Sequence, residues 1–384
     1  MKRIDILFFD ATSGHRTAAF ALEKAMQQTA DVEVRVLNLT EVLHTQPVLQ
    51  QLASSGVDLF NWCTRRERVW FLRQQFVFFQ TIQANVPSRM IRQVAEFWQD
   101  DPPDMVVSVL PICNLLLERA FHTIQPAGAY VIIPVDYEEA QHNYWFDARA
   151  DAYYLNPSHV LTEQAGKAHI PSERNLRVVG MPIDPLFYNT VLPDTRTALH
   201  ELGLNPDYPT VLVSFGGQGS VMVRKCAEKL SLVEQPINAI FLCGRHKQLY
   251  DYLRAFPTPY PKAVLGYTLE APAHYYHLAD VLVGKPGSMT ITEAIVTRTP
   301  LVAIKSQALA PVQRGNEAWI QQSGVGDVVT LDGLPDAIAQ ALASDRINDN
   351  IAREWHRGVF EIADMLRQFV HTGAFNMEQA GEAR

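Results

Sequence analysis

Short apolar runs alternate with amphipathic stretches from one end of the chain to the other. IDILFF is apolar around a single acid, and residues 16–28 place Ala18, Ala19, Leu22, Ala25 and Met26 on one helical face. VEVRVLNL alternates like a strand. MVVSVL and AYVIIPV follow, separated by a helical stretch at 115–123, and DAYYLN and RVVGMPI read as two further strands. Pro182, Pro185 and Pro193 then punctuate MPIDPLFYNTVLPDT, an interdomain linker by composition. Beyond it the pattern restarts with TVLVSFGG, a helix at 221–230, NAIFLCG, a helix at 247–255, AVLGY and a helix through Tyr276. A strand at 281–284, a helix opening at Ser288 and a strand at Leu301 complete the run. Residues 351–369 have helical periodicity and fade into a polar tail, GAFNMEQAGEAR.

Near-continuous apolar strands separated by helices predict parallel sheets covered on both faces. The expected fold is α/β, with two Rossmann-like doubly wound domains facing a cleft where ligands meet the C-terminal ends of the strands. The expected domains are residues 1–183, residues 184–355, and a C-terminal helix and tail at 356–384.

Composition narrows the function. Of 384 residues, 47% are hydrophobic and 19% charged, which suits a folded globular chain. A formal net charge of −8 argues against a general nucleic-acid binder. Cys63, Cys113, Cys226 and Cys243 form no C-x-x-C pair, a pattern of reduced thiols in a cytosolic protein rather than a disulfide or zinc framework. MKRIDILFFDATSG superficially resembles a signal peptide, but Asp5 and Asp10 interrupt a run that is too short, so a first buried strand is expected. No segment reaches the roughly 20 uninterrupted apolar residues of a membrane span, so any membrane contact is expected to be peripheral.

The most informative stretch is ADVLVGKPGSMTITEAIVTRTPLVAI, residues 279–304. A strand, a tight loop and a helix leave free N–H groups at the helix N-terminus, where the dipole favours an anion. Gly287 permits close approach of a ligand to the backbone, Ser288 is placed to cap the helix, and Lys285 adds positive charge. Glu293 falls in the second turn on the side of the anion. Phosphates on the amides with ribose hydroxyls on the carboxylate would suit a nucleotide; a strand–loop–helix with no ligand is the plain alternative. TVLVSFGGQGS supplies a second glycine loop. As a dinucleotide G-x-G-x-x-G fingerprint it fails, because Met222 holds the third glycine position and no ribose-binding acid ends the next strand.

K-P-G-S-x-T-x-x-E-A followed by T-P-L resembles the donor-binding signature of the family-28 glycosyltransferases. That group contains the monogalactosyldiacylglycerol synthases, the processive diacylglycerol glucosyltransferases and, more distantly, the MurG-type N-acetylglucosaminyltransferases. The resemblance spans roughly residues 6–325 and implies the GT-B architecture. It implies that Lys285, Gly287, Ser288, Thr290 and Glu293 hold the diphosphate and ribose of a UDP-sugar. Gly216, Gly217, Gln218 and Gly219 would face the donor phosphates. Tyr267 and Thr268 in LGYTLE would lie at the uracil edge, and Gln313 and Asn316 in PVQRGNEAW would contact sugar hydroxyls. From the residues alone, the last two amides read equally well as helix caps.

DATSGHRTAAFAL resembles the S-x-x-G-G-G-H-x-x-x-A motif of the lipid-galactosylating enzymes, with His15 at the active-site histidine and Gly14 at the last glycine. Thr12 and Ser13 stand where the family has glycines, so this loop is expected to be stiffer. A histidine at a helix N-terminus has its cation disfavoured by the dipole. The neutral imidazole can accept a proton from an acceptor hydroxyl, as general-base catalysis near neutral pH requires. Capping of the turn or packing in the cleft is the alternative role. IIPVDYEEAQHNYWF is similar to the family strand that ends in Thr-Asp, with Pro134-Val135 in place of the usual Val-Thr and an offset histidine. Asp136 is the second candidate for the base or for orienting the acceptor, with His142 on the acceptor side; Glu138 and Glu139 also fit a solvated loop.

The resemblance implies transfer of a hexose from a UDP-sugar to an acceptor hydroxyl such as that of diacylglycerol, with no metal or other cofactor. It places such an enzyme in the cytoplasm or peripherally on the inner face of the membrane. Two rival readings share the architecture: a UDP-sugar 2-epimerase or hydrolase, and a non-catalytic sugar-nucleotide-binding protein.

Residues 59–83, LFNWCTRRERVWFLRQQFVFFQTIQ, bear on the acceptor. Val69, Leu72, Phe76 and Phe79 form one helical stripe, and Trp70, Phe71, Val77 and Phe78 spread beyond it, near Arg65, Arg66, Arg68 and Arg73. The pattern fits a broad-faced core helix, and it also fits a surface that attaches to anionic lipid. On the lipid reading the protein co-sediments with phosphatidylglycerol vesicles at low salt, at about 1 kcal/mol per basic residue near the bilayer. Binding falls as salt rises, and replacing Arg65, Arg66 and Arg68 with glutamine weakens it. Indifference to anionic vesicles at low salt would remove this support for a lipid acceptor.

Overall fold

The computed structural model describes residues 1–9, 13–29, 31–44, 50–51, 86–138, 145–178, 180–190, 194–267, 272–305, 310–343 and 345–375, with backbone alone at 13 and 310–313. The aromatic-basic segment 59–83, His142, Glu139 and Thr268 lie outside the described residues. The chain divides into two compact units, Met1–Pro185 together with Arg357–Arg384, and Leu186–His356.

The first unit holds a six-stranded parallel sheet of β1 (Lys2–Phe8), β2 (Val32–Asn38), β3 (Met105–Ser108), β4 (Ala129–Ile132), β5 (Tyr153–Asn156) and β6 (Asn175–Arg177). Its order is β2-β1-β3-β4-β5-β6. Ile4, Ile6 and Leu7 on β1 are fully buried, as are Val106 and Val107 on β3, so the central strands are covered on both faces. Against them packs the helix Ser13–Met26, whose Ala18, Ala19, Leu22, Ala25 and Met26 form the expected apolar stripe. The acid within β1 is no defect. Asp5, fully buried, accepts 2.9 and 2.7 Å hydrogen bonds from Arg35 on β2 and a 2.9 Å bond from the Trp98 indole. Three N–H donors, two of them on one forked guanidinium, offset the cost of taking that carboxylate out of water.

The second unit holds β7 (Thr210–Ser214), β8 (Asn238–Leu242), β9 (Lys262–Leu265), β10 (Val281–Gly284), β11 (Leu301–Ile304) and β12 (Gly326–Val329). They too are parallel, in the order β12-β11-β10-β7-β8-β9. Read from the β9 edge this is the 3-2-1-4-5-6 arrangement of doubly wound nucleotide-binding sheets. Cys226 and Cys243 are buried here, and Cys113 lies in the first unit; all three are free thiols.

Two elements differ from expectation. The strand at RVVGMPI ends at Arg177, because Gly180 turns the backbone to φ +78° and Pro182 follows. The helix expected over 351–369 is two, Arg346–Glu354 and Gly358–Thr372. Trp355 is extended (ψ 135°) and its indole donates a 3.1 Å bond to the Val296 carbonyl, which stops the first helix. The second helix lies in the first unit and packs on Ser13–Met26. β12 carries too little apolar character to stand out in sequence. The helix Leu334–Ala343 buries two alanines beside Leu334 and Ile338, a weak periodic signal in sequence.

One partly buried pair makes a pH-dependent contribution. His122 Nδ1 lies 2.6 Å from Glu118 Oε1 and Nε2 lies 3.1 Å from the Gly128 carbonyl, so two acceptors face the ring. Burial lowers its pKa, but the Glu118 carboxylate and the Gly128 carbonyl outweigh burial, and the net value is raised above 6.5. A raised folded pKa gives stability that is full below the unfolded value and lost as pH rises through the folded one. The stability advantage of the protein over a His122→Gln variant should therefore be greatest below about pH 6.5 and shrink on the alkaline side, read by denaturant unfolding at a series of pH values. A pH-independent difference would assign His122 a packing role only.

Candidate active site

In the second unit β7 and β10 are neighbours, with Ser214 paired to Gly284 at their C-terminal ends. From β7 the chain moves outward through the helix Met222–Leu230 to β8, and from β10 it moves the opposite way through the helix Ser288–Thr297 to β11. This is the switch point of the sheet, where diverging loops open a crevice at the strand ends. Both glycine loops singled out in the sequence, Gly216–Gly219 and Lys285–Ser288, arise from this one pair of strands.

The first loop is a turn closed by a 3.0 Å bond from Gly219 N–H to the Gly216 carbonyl, with both glycines at positive φ. A Cβ on Gly219 would stand 2.2 Å from the Cys243 carbonyl oxygen, so this position is glycine because of the adjoining turn. Gly217 differs: it is exposed and its nearest neighbour is the Tyr267 ring at 3.7 Å. The Gly217 carbonyl accepts a 2.9 Å bond from Arg245 N–H, and the Arg245 guanidinium sits 4.3 Å over the exposed Tyr267 ring. Gln218 is exposed beside them.

In the second loop a 2.8 Å bond from Gly287 N–H to the Lys285 carbonyl tightens the turn and leaves Gly287 extended at ψ 141°. Gly287, not Ser288, is therefore the N-cap, and Ser288 is the first helical residue; the expectation that Ser288 caps the helix is corrected. A glycine cap offers no side chain to the first N–H groups. Lys285 is half-buried; burial lowers its pKa, and the charge of Glu293 partly restores it. Glu293 is half-buried one turn and a half into the helix, and its Oε2 accepts a 2.7 Å bond from the Tyr276 hydroxyl. Thr290 is buried with its methyl toward Gly284. Asn316 is 2% exposed on the helix Ala310–Ser323, which also carries Gln313 one turn earlier.

The first unit presents a second group at its own β1–β3 junction. His15, in the first turn of Ser13–Met26 beside the half-buried Gly14, has Nδ1 2.7 Å from the Val109 carbonyl just beyond β3. That contact makes Nδ1 the protonated nitrogen and leaves Nε2 as the acceptor. Burial pushes the His15 pKa down to about 4, against the raising effect of the Val109 carbonyl, so the ring is neutral at physiological pH. Its ring centroid is 6.2 Å from that of Trp145, whose Nε1 donates a 3.3 Å bond to Asp136 Oδ2. The two candidate bases thus flank one indole. Beneath them a buried network fixes the β3 loop: Ser108 Oγ donates to Asn114 Oδ1 at 2.6 Å, Tyr130 donates to the same atom at 3.1 Å, and Asn114 Nδ2 donates to the Leu110 carbonyl at 2.7 Å.

Sequence reasoning missed Tyr276, Arg245 and the Asn114 network. None has a spacing signal, since each acts across elements that only the folded sheet brings together. Trp145, next to last in IIPVDYEEAQHNYWF, is the one legible hint.

No family model matches the chain. It is 25% identical over 336 residues to monogalactosyldiacylglycerol synthase 1, chloroplastic, of Arabidopsis thaliana, a match covering 85% of this chain and 62% of that protein. The chain thus spans a little over three fifths of the length of such relatives. Among solved structures it is similar to MurG of Acinetobacter baumannii, with TM-score 0.62 and 13% identity, covering 96% of this chain and 100% of the other. It is similar also to CalG4, the calicheamicin glycosyltransferase, with TM-score 0.60 and 14% identity over 97% and 99% of the two chains. The resemblance to the family-28 glycosyltransferases is therefore carried by relatives as well as by motifs, and the fold is GT-B.

Proposed function

We propose that the protein is a UDP-sugar-dependent glycosyltransferase that moves a hexose to the hydroxyl of a lipid such as diacylglycerol. The observation that carries the reading is the convergence of the Gly216–Gly219 loop, Lys285, the Gly287-capped helix and Glu293 at the β7–β10 switch point. Helix-end amides and the Lys285 ammonium would meet the diphosphate, and the Glu293 carboxylate the ribose hydroxyls. The relatives named as monogalactosyldiacylglycerol synthases support a lipid acceptor. Attachment to the inner face of a membrane would then be peripheral: among the described residues no helix is long and apolar enough to cross one.

In the proposed reaction the acceptor oxygen forms a bond to the sugar C1 as the bond from C1 to the diphosphate oxygen breaks. The acceptor proton passes to a base, and the leaving electron pair stays on the diphosphate, stabilised by the amides and Lys285 without a metal. His15 suits the base role because Nδ1–H is committed to Val109 and Nε2 is unprotonated at neutral pH. Its low basicity means that the proton moves late, as charge builds on the acceptor oxygen. Asp136, held by the Trp145 indole, is the alternative base or an orienting group.

Titration calorimetry with UDP, followed by turnover of UDP-glucose, UDP-galactose and UDP-N-acetylglucosamine with diacylglycerol and with soluble acceptors, tests the reading. Failure to bind any uridine nucleotide would overturn it, and turnover without an acceptor would replace it by the hydrolase or epimerase reading. Glu293→Ala should weaken UDP binding by about 1.5–3 kcal/mol, the worth of a charged hydrogen-bond partner. It should also cost about 1–3 kcal/mol of stability, because the buried Tyr276 hydroxyl loses its acceptor. Unchanged UDP affinity in the folded variant would end the ribose assignment.

His15→Ala should leave UDP affinity nearly intact and cut turnover by about two to four orders of magnitude. A comparable loss in Asp136→Asn but not in His15→Ala would move the base to Asp136. Full activity in both would leave neither a base.

A further inference from the structure

We propose that Tyr276 is a positioning residue that aims the Glu293 carboxylate at the nucleotide ribose and so sets the preference for a ribose bearing its hydroxyls. The inference rests on the donor reading given above and concerns a residue outside the glycine loops. Tyr276 is 2% exposed, within the short helix Ala273–His277 that precedes β10. Its hydroxyl donates to Glu293 Oε2 at 2.7 Å. A single buried phenol thus joins the helix before β10 to the carboxylate behind the second glycine loop.

The ring itself has little freedom. It meets Phe187 edge-on, with centroids 5.2 Å apart and planes at 88°, and its own carbonyl accepts a 3.2 Å bond from the Thr299 hydroxyl. Burial and the neighbouring Glu293 charge hold the phenol protonated, so it acts as a donor to the carboxylate at every physiological pH. A glutamate on a helix has three rotatable side-chain bonds, and the energy of a ribose contact is reduced by the entropy of fixing them. A rigid donor already bound to Oε2 fixes them before the ligand arrives. Its effect should therefore appear only for ligands that use the carboxylate.

The test compares UDP with 2′,3′-dideoxyuridine diphosphate by calorimetry on the full chain. The unaltered protein should prefer UDP. Tyr276→Phe, which deletes one oxygen and keeps the ring, should bind UDP about three- to tenfold more weakly and the dideoxy nucleotide equally well. In a Glu293→Ala background the same change should add nothing, because the two residues act as one unit. Comparing two ligands on one variant removes the effect of any misfolded fraction, which lowers the active concentration for both alike. Equal weakening for both nucleotides, or losses that add in the double variant, would make Tyr276 a packing residue and overturn the proposal. A full preference for UDP retained in Tyr276→Phe would do the same while leaving the Glu293 assignment intact. If the unaltered protein binds the two nucleotides alike, the ribose assignment falls, and the positioning role with it.

Discussion

The side-by-side pairing of β7 with β10 is the constraint on which the second unit depends. Two strands that are far apart in sequence lie parallel, and the chain leaves them toward opposite edges of the sheet. Nothing in the backbone can fill the space above their ends, because both connections are already committed to going elsewhere. Gly284 makes the approach possible: a Cβ there would come within 2.9 Å of the Ser214 carbonyl. Lys285, the helix capped by Gly287, and the turn at Gly216 are consequences of that geometry.

The first unit solves a related problem with different chemistry. There the β1 and β3 ends are joined by a side chain, His15, whose bond to the Val109 carbonyl spans the two loops. The next residue, Leu110, is held by the Ser108–Asn114–Tyr130 network: its N–H donates to Ser108 Oγ and its carbonyl accepts from Asn114, and every member of the network is buried and paired. Buried polar networks that are fully satisfied specify one arrangement strongly. The imidazole therefore has one available tautomer and one orientation, a property that a histidine on a solvated loop would lack.

The strands were legible because their burial on both faces leaves runs such as VLVS and LVAI with no polar alternation to misread. Both glycine loops were legible too, since a tight turn between a strand and a helix restricts residue choice. What escaped were features that depend on distant partners. Asp5 reads as an interruption until Arg35 lies beside it, and Tyr276 reads as an ordinary aromatic until its helix docks beside Glu293. Glycine at 219 is also required by the neighbouring turn at Cys243, a partner that the sequence does not reveal. Ser288 was read as a cap by residue type, but the bond between Gly287 and Lys285 settles the backbone one residue earlier. Helical periodicity over 351–369 was real in both halves; the pinned indole of Trp355, invisible in sequence, divides them.

The return of the chain to the first unit has a consequence for biosynthesis. Helix Gly358–Thr372 buries Val359, Ile362, Ala363, Leu366 and Phe369 and packs on Ser13–Met26, an element made more than three hundred residues earlier. The second unit is continuous in sequence and can close as soon as it leaves the ribosome, whereas the first must wait for the last helix with an apolar face uncovered. Its assembly on the ribosome is thus ordered from the inside out: the inserted unit can finish first, and the unit that begins the chain is completed last.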